Sequence, residues 1–362
     1  MEVITELDEC AEKGVISQFQ VLELFVLNSL EQVISCRSVS LSQTLHFNNI
    51  CITEKIMKEQ AINILQADNH TIYGILWNAS EKPKAVLQIV HGMTEHIDRY
   101  RKFAEELNRY GIAVAGFDLR GHGVNLSKSG CASFGEEGWE ASLEDIQKFS
   151  DYLYDQFPDC QHYMLGFSLG SFLVREYLNK FEHHFDGAVI AGTGHQPSAV
   201  LSVMMAIVKT QIKSNGFDGT TSLVKQLSFE TYNSKFKPNK TDFDWLCADE
   251  EELQKYMLDS ACADSISSGL FWQLLSSMRY TGSKSAYQNW KKDMPVLLLS
   301  GEKDPVGDFT KGVRRVEAAM KNVGMKNVTV QFLPEARHDI FHEVKSECAK
   351  KVVQLIKNWI NA

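Results

Sequence analysis

No C-x-x-C pair occurs anywhere in the 362 residues, although eight cysteines are present: Cys10, Cys36, Cys51, Cys131, Cys160, Cys247, Cys262 and Cys348. That spacing excludes a zinc finger or ribbon, and it is too sparse for the disulfide framework of a small secreted domain. Reduced, mostly buried thiols in a cytoplasmic protein are the expectation. Positive charge is short as well. The formal net charge is -9, so the clustered basic surface of a nucleic-acid binder is missing, and attachment to anionic lipid by charge alone is disfavoured. No apolar run is long and unbroken enough for a membrane span. The nearest, "QFQVLELFVLNSLEQVI", is apolar at helical spacing but short and interrupted. Ahead of it, "MEVITELDECAEKG" is acidic where a signal peptide carries positive charge. There is no internal repeat and no low-complexity tract.

What is present begins to form a pattern after Met57. For residues 1–56 two explanations stand: a helical N-terminal extension, or translated sequence upstream of a start at Met57 ("MKEQAINIL"). The second is favoured, because domain pattern appears only beyond that methionine. From Ala61 onward β-rich runs alternate with amphipathic helical runs. "AINILQ" and "TIYGILW" flank "ADNH" as a hairpin. "AVLQIVHG", "IAVAGFDLRGHG", "HYMLGFS", "FDGAVIAGTG", "PVLLLSG" and "VTVQFLP" read as strands, several of them continuous apolar runs suited to burial on both faces. "RYRKFAEELNRYG", "WEASLEDIQKFSDYLYDQF", "FTKGVRRVEAAMKNVG" and "FHEVKSECAKKVVQLIKNWI" read as helices between and after them. The fold class is therefore α/β: a mainly parallel sheet with helices on both faces. From about residue 195 to 290 the alternation stops, and apolar stripes such as "LSVMMAIVKT" and "SGLFWQLLSSMRY" indicate a helical insertion within a domain of residues 57–362.

The stretch "HYMLGFSLGSFLVREY" carries the chemistry. Gly166-Phe167-Ser168-Leu169-Gly170 matches G-x-S-x-G, a sharp strand-to-helix turn that exposes a serine hydroxyl and tolerates no Cβ on either side. The pattern alone is weak, but here it follows a buried strand and opens a helix. Ser168 is the candidate nucleophile. A serine hydroxyl needs a base, and His338 in "LPEARHDIF" follows the last strand, where it can reach over the sheet's carboxyl edge. His342, one turn further and expected on a helix, ranks second. The histidine needs a carboxylate to fix its tautomer. Asp304 in "SGEKDPVG" follows the preceding strand, whereas Asp308 stands closer to a helix start and suits capping. The order Ser168, Asp304, His338 is that of an α/β-hydrolase. Backbone N–H groups of Met93, in "VHGMTEH", and of Leu169 are the candidate oxyanion donors. His91 is expected to fix that loop rather than react.

"HGMTEHIDRY", "DLRGHG", "GFSLGS", "SGEKDPVG" and "RHDIFHE" together resemble the monoglyceride lipase/lysophospholipase group of α/β-hydrolases, also labelled serine aminopeptidase-like. The resemblance spans residues 58–362, and "KFKPNKTDFDWL" resembles the cap segment of bacterial members. It implies the same roles for Ser168, Asp304, His338, Met93 and Leu169. Two departures stand out: Ser171, where many members have a second small residue, often glycine, and "PEAR" ahead of His338, where they have glycine. The implied activity is hydrolysis of carboxylic esters through an acyl-enzyme, with no metal or organic cofactor. Met204, Met205, Phe217, Phe271 and Trp272 offer the insertion a surface suited to an acyl chain. A single-chain lipid ester such as a monoacylglycerol is then the small-molecule substrate, with transient contact between cap and membrane. Lys235, Lys237 and Lys240 form the local basic patch that an anionic lysophospholipid would need. Two rival functions use the same residues: an acyltransferase with an acceptor alcohol in place of water, and a non-catalytic binding member of the fold. Neither nucleic acid nor a particular oligomeric state is indicated.

Overall fold

The computed structural model describes residues 57–362 except 79, 81 and 344–346. The extension expected over residues 1–56, with Cys10, Cys36 and Cys51, lies outside the described residues. Strands β1 (Lys58–Leu65) and β2 (Thr71–Asn78) form the expected antiparallel hairpin. Then follow β3 (Ala85–Val90), helix α1 (Arg101–Asn108), β4 (Ile112–Phe117), the two-residue β5 (Cys131–Ala132), α2 (Gly138–Gln156), β6 (Gln161–Phe167), α3 (Leu169–Lys180) and β7 (Gly187–Ala191). Between β7 and the next long strand lie α4 (Ser198–Asn215), short helical turns over residues 222–236, α5 (Glu250–Leu258), the short β8 (Ser265–Ile266) and α6 (Ser268–Thr281). The chain closes with β9 (Val296–Gly301), α7 (Lys311–Asn322), β10 (Val328–Leu333) and α8 (Cys348–Ile360).

Among the described residues eight strands make one sheet in the order β1-β2-β4-β3-β6-β7-β9-β10. The pairs β1/β2 and β2/β4 are antiparallel, and every pair from β4 to β10 is parallel. The continuous apolar runs explain the centre. Every residue of β3, β4, β7 and β9 is buried, because helices cover both faces. Alternate side chains of one strand serve opposite layers. Leu87 and Ile89 pack with Phe103 and Leu107 of α1 and Val352 and Ile356 of α8. Val86 and Val90 face the other way, toward Leu143 and Ile146 of α2 and Leu173 of α3. The edge strands β1 and β10 are partly exposed, as is β2 beside β1.

The last helix differs from its expected start at Phe341. α8 begins at Cys348, and Glu347 just ahead of it has φ +58°, a left-handed conformation that cannot continue a helix backwards. Residues 340–342 form a turn instead, so His342 stands off the helix. The described cysteines are all free thiols, with Cys247, Cys262 and Cys348 buried. Among the described residues no helix is long and apolar enough to cross a membrane.

Candidate active site

β6 ends at Phe167, and the chain turns at once into α3. Ser168, at the bend, has φ +50° and ψ −116°. Its N–H is anchored to the Ala191 carbonyl at the end of β7 (3.0 Å). Both flanking glycines are sterically required. A Cβ on Gly166 would lie 2.5 Å from the Gly170 carbonyl oxygen, and one on Gly170 only 2.0 Å from that of Val90. Ser171, the departure next to this turn, is accommodated because its hydroxyl donates back to the Ser168 carbonyl (2.6 Å).

Asp304 and His338 arrive from the loops after β9 and β10. The His338 ring Nδ1 pairs with Asp304 Oδ1 at 2.9 Å, and its Nε2 with Ser168 Oγ at 2.8 Å. A carboxylate only accepts, so Nδ1 carries the proton and Nε2 is free to accept from the serine hydroxyl. Asp304 and His338 are buried, while Ser168 is partly open. Asp304 Oδ1 also accepts the Val306 N–H (2.8 Å), which fixes the carboxylate's rotamer. The imidazole is held between two rings, Phe167 (5.0 Å between centroids) and Trp245 (5.2 Å). Gly192, at φ +58°, leaves room for it: a Cβ there would stand 3.0 Å from His338 Cε1.

Met93 and Leu169 line the same cavity as Ser168. As the first residue of α3, Leu169 has an N–H with no carbonyl partner one turn back in the helix. The Met93 loop is fixed from within. The Gly92 N–H donates to Glu95 Oε1 (2.6 Å), and His91 accepts the Leu119 N–H on Nε2 (3.0 Å) while its Nδ1 bonds the Gly92 carbonyl (2.8 Å). His91 is therefore structural. Burial pushes it down to about 4, so it is neutral near pH 7.

The competing residues are engaged elsewhere. Asp308 accepts from Arg315 (3.2 Å) rather than capping α7. His342 bonds Asp339 through Nδ1 (2.7 Å) and the Arg99 carbonyl through Nε2 (2.9 Å). Asp339 and Arg99 belong with His342 to a buried network that sequence reasoning missed. Arg99 bridges Glu95 (2.7 Å) and Asp339 (3.0 Å), joining the Met93 loop to the residue after His338. Burial would raise the Asp339 carboxyl, but His342 and Arg99 beside it hold it well below the usual carboxylate range. The signal for half of this network was the i, i+4 spacing of Glu95 and Arg99. Trp245, also missed, gave no sign beyond an aromatic side chain in a polar stretch. In the departure ahead of His338, Glu335 takes the left-handed conformation (φ +62°) that glycine would adopt more easily. Arg337 secures that loop by donating to the carbonyls of Asp244 and Cys247.

The cavity over Ser168 measures about 200 Å³. Its walls come from α4 (Val200, Leu201, Met204), α6 (Phe271, Leu274) and α3 (Phe172). Of the five apolar residues anticipated here, Met204 and Phe271 line it. Met205 is buried in the core, Phe217 packs on Gly269 of α6, and Trp272 packs against the same core from its edge. Lys240 of the basic patch is paired with Glu250. Among the described residues one group has metal-like spacing: His96, Asp259 and Cys262, with ligand atoms within 4.8 Å of one another. It fits a cation poorly. His96 Nε2 already bonds Asp259 Oδ2 (2.8 Å), and burial pushes the Cys262 thiol up to about 12, which keeps it protonated.

A mainly parallel sheet, with the serine turn after β6, the carboxylate after β9 and the histidine after β10, defines an α/β-hydrolase. The chain belongs to the serine aminopeptidase (S33) hydrolase family, whose model matches residues 81–345. An uncharacterized abhydrolase domain-containing protein of Dictyostelium discoideum is 25% identical over 312 residues, covering 84% of this chain but only 29% of that longer protein. A monoglyceride lipase of Rattus norvegicus is 22% identical over 303 residues, covering 83% of this chain and 89% of its own. Among solved structures, a thermostable carboxyl esterase from Bacillus coagulans superposes with a TM-score of 0.75 at 22% identity, over 84% of this chain and 100% of the other.

Proposed function

We propose that the protein is a carboxylic ester hydrolase that works through an acyl-enzyme on Ser168, and that its substrate is a single-chain lipid ester such as a monoacylglycerol. The observation that carries this reading is the continuous hydrogen-bonded series Asp304–His338–Ser168, opening onto a cavity with mostly apolar walls. Ser168 Oγ attacks the ester carbonyl as His338 Nε2 takes its proton, and Asp304 stabilises the imidazolium. The N–H groups of Met93 and Leu169 receive the tetrahedral oxyanion, each worth about a hundredfold or more in rate in comparable sites. His338 then protonates the leaving alcohol, water repeats the attack, and the carboxylic acid departs. These steps use no metal or organic cofactor.

The names carried by the rat relative and the Bacillus neighbour favour esters over peptides for this chain. Residues of about 195–290 act as a cap on a hydrolase domain of residues 57–362. Val200 and Val203, 45% and 62% exposed on α4, give the cap an apolar face for transient membrane contact. The free thiols favour a reducing, cytoplasmic setting. The test is a series of monoacylglycerols from octanoyl to oleoyl, run beside p-nitrophenyl butyrate. The reading predicts that kcat/KM for medium- and long-chain monoacylglycerols matches or exceeds that for the short ester. Efficient cleavage of the short ester with the monoacylglycerols untouched would overturn the lipid assignment.

A further inference from the structure

Arg175, in the middle of α3, is 1% exposed, and an arginine is almost never buried so fully without an acidic partner. Among the described residues none of its hydrogen bonds goes to a carboxylate. Nε donates to the Tyr287 hydroxyl (3.0 Å), Nη1 to Thr193 Oγ1 (3.0 Å) and the Gly194 carbonyl (3.3 Å), and Nη2 to the Thr281 carbonyl (2.8 Å) and again to Tyr287. The guanidinium lies 5.4 Å from the Phe172 ring centroid and 5.7 Å from that of Tyr287. Every described partner is neutral, so among the described residues dipoles and ring faces hold the charge. An apolar side chain of similar volume is often the more stable occupant of such a place. What the guanidinium adds is direction: a rigid planar fork that reaches several acceptors at once.

Those acceptors mark two places in the chain. Thr193 and Gly194 lead from β7 into the insert, and Thr281 and Tyr287 stand where it returns toward β9. The helices that start and end at these roots, α4 and α6, wall the cavity over Ser168, and α3 itself contributes Phe172. The same face of α3 continues the seam. Glu176 accepts from Ser277 on α6 (2.7 Å), and Asn179 donates to the Tyr280 hydroxyl (2.6 Å) and accepts the Asn289 N–H (3.1 Å). The helix that begins at the nucleophile is thereby bonded to both ends of the segment above it.

We infer that Arg175 is a positioning residue that holds both cap roots against the nucleophile helix, and so sets the width of the acyl cavity and the chain lengths the enzyme accepts. The inference rests on the ester-hydrolase reading above. Loosening the roots moves α4 and α6 relative to α3, a change felt along a long acyl chain and little by a short one. Ser168, His338 and Asp304 stay on the sheet's own loops.

The experiment compares wild type, Arg175→Lys, Arg175→Met and Tyr287→Phe on p-nitrophenyl butyrate and p-nitrophenyl dodecanoate. Melting temperature and fluorophosphonate labelling establish that each variant is folded with a reactive serine. The expected result is a fall of about tenfold or more in kcat/KM for the dodecanoate, chiefly through KM, with the butyrate rate kept within about threefold. If Arg175→Met fails to fold, Tyr287→Phe, which removes one hydroxyl from the same cluster, carries the comparison. Equal losses on both esters would mean a merely structural role, and unchanged selectivity in folded variants would mean no role; either overturns the inference and leaves the hydrolase reading intact. A wild type that cleaves neither ester overturns both together.

Discussion

At the scale of residues, a serine at φ +50° and ψ −116° occupies backbone space that non-glycine side chains seldom adopt, and its neighbours hold it there. Gly170 is the tightest of these supports, since any Cβ would face the backbone oxygens of Val90 and His91 at 2.0 and 2.6 Å. Neither oxygen sits on a flexible side chain that could yield. Gly170→Ala is therefore expected to displace the end of β3 from the start of α3, costing about 1–3 kcal/mol of stability and lowering ester turnover by at least tenfold. Urea unfolding and p-nitrophenyl butyrate hydrolysis measure the two effects, and a variant equal to wild type in both would remove the steric argument. Ser168, Asp304 and His338 were legible from the sequence because each follows a strand whose apolar run announces where the carboxyl edge lies. Trp245 and the pairing of Arg99 with Asp339 were not. Their partners are 93 and 240 residues away along the chain, and no local periodicity encodes a contact of that kind.

Among the elements, the buried strands were the easiest to read and the insert the hardest. An apolar run flanked by glycine has few alternatives to a central strand, whereas an apolar stripe on a helix shows one face without saying what covers it. Phe217 and Trp272 illustrate this, for both were candidates for the cavity and both pack within or beneath the insert. α4 shows the reverse case. It puts Leu201, Met205 and Val208 into the core and leaves Val203 62% exposed. If that outward face meets a lipid surface, Val203→Glu adds a charge that must be desolvated on contact. The variant is expected to cleave soluble p-nitrophenyl butyrate normally, while its rate on monoacylglycerol carried in neutral phosphatidylcholine vesicles falls several-fold. Equal rates on the vesicle-borne substrate would place the contact elsewhere.

For the molecule as a whole, buried neutral histidines make folding sensitive to mild acid. Burial pushes His91 and His122 each down to about 4 from an ordinary 6.5, and each ring sits near the other. The unfolded chain therefore binds protons between pH 6.5 and 4 that the folded one refuses. Stability is complete above pH 6.5 and is lost as the pH falls through that window. Urea midpoints taken at intervals from about pH 7.5 to about 4.5 should fall steadily once below about 6.5; a flat profile would mean that the two rings are solvated. The β3–β4–β6 centre they support is the part of the fold most openly written in the sequence, through alternating strand and helix patterns of regular length. The closing helix was misjudged at its start because the left-handed residue at Glu347 is a backbone feature that an ordinary side chain does not announce.

The proposed reaction turns on Ser168 as the nucleophile of an ester hydrolase. Hydrolysis of p-nitrophenyl butyrate by the wild type and by Ser168→Ala, each also treated with a fluorophosphonate label, tests it most directly. Clear turnover and labelling are expected in the wild type, with near-background rate and no labelling in the variant. Turnover that survives in Ser168→Ala, or a folded wild type whose serine neither turns over ester nor takes the label, would contradict that role.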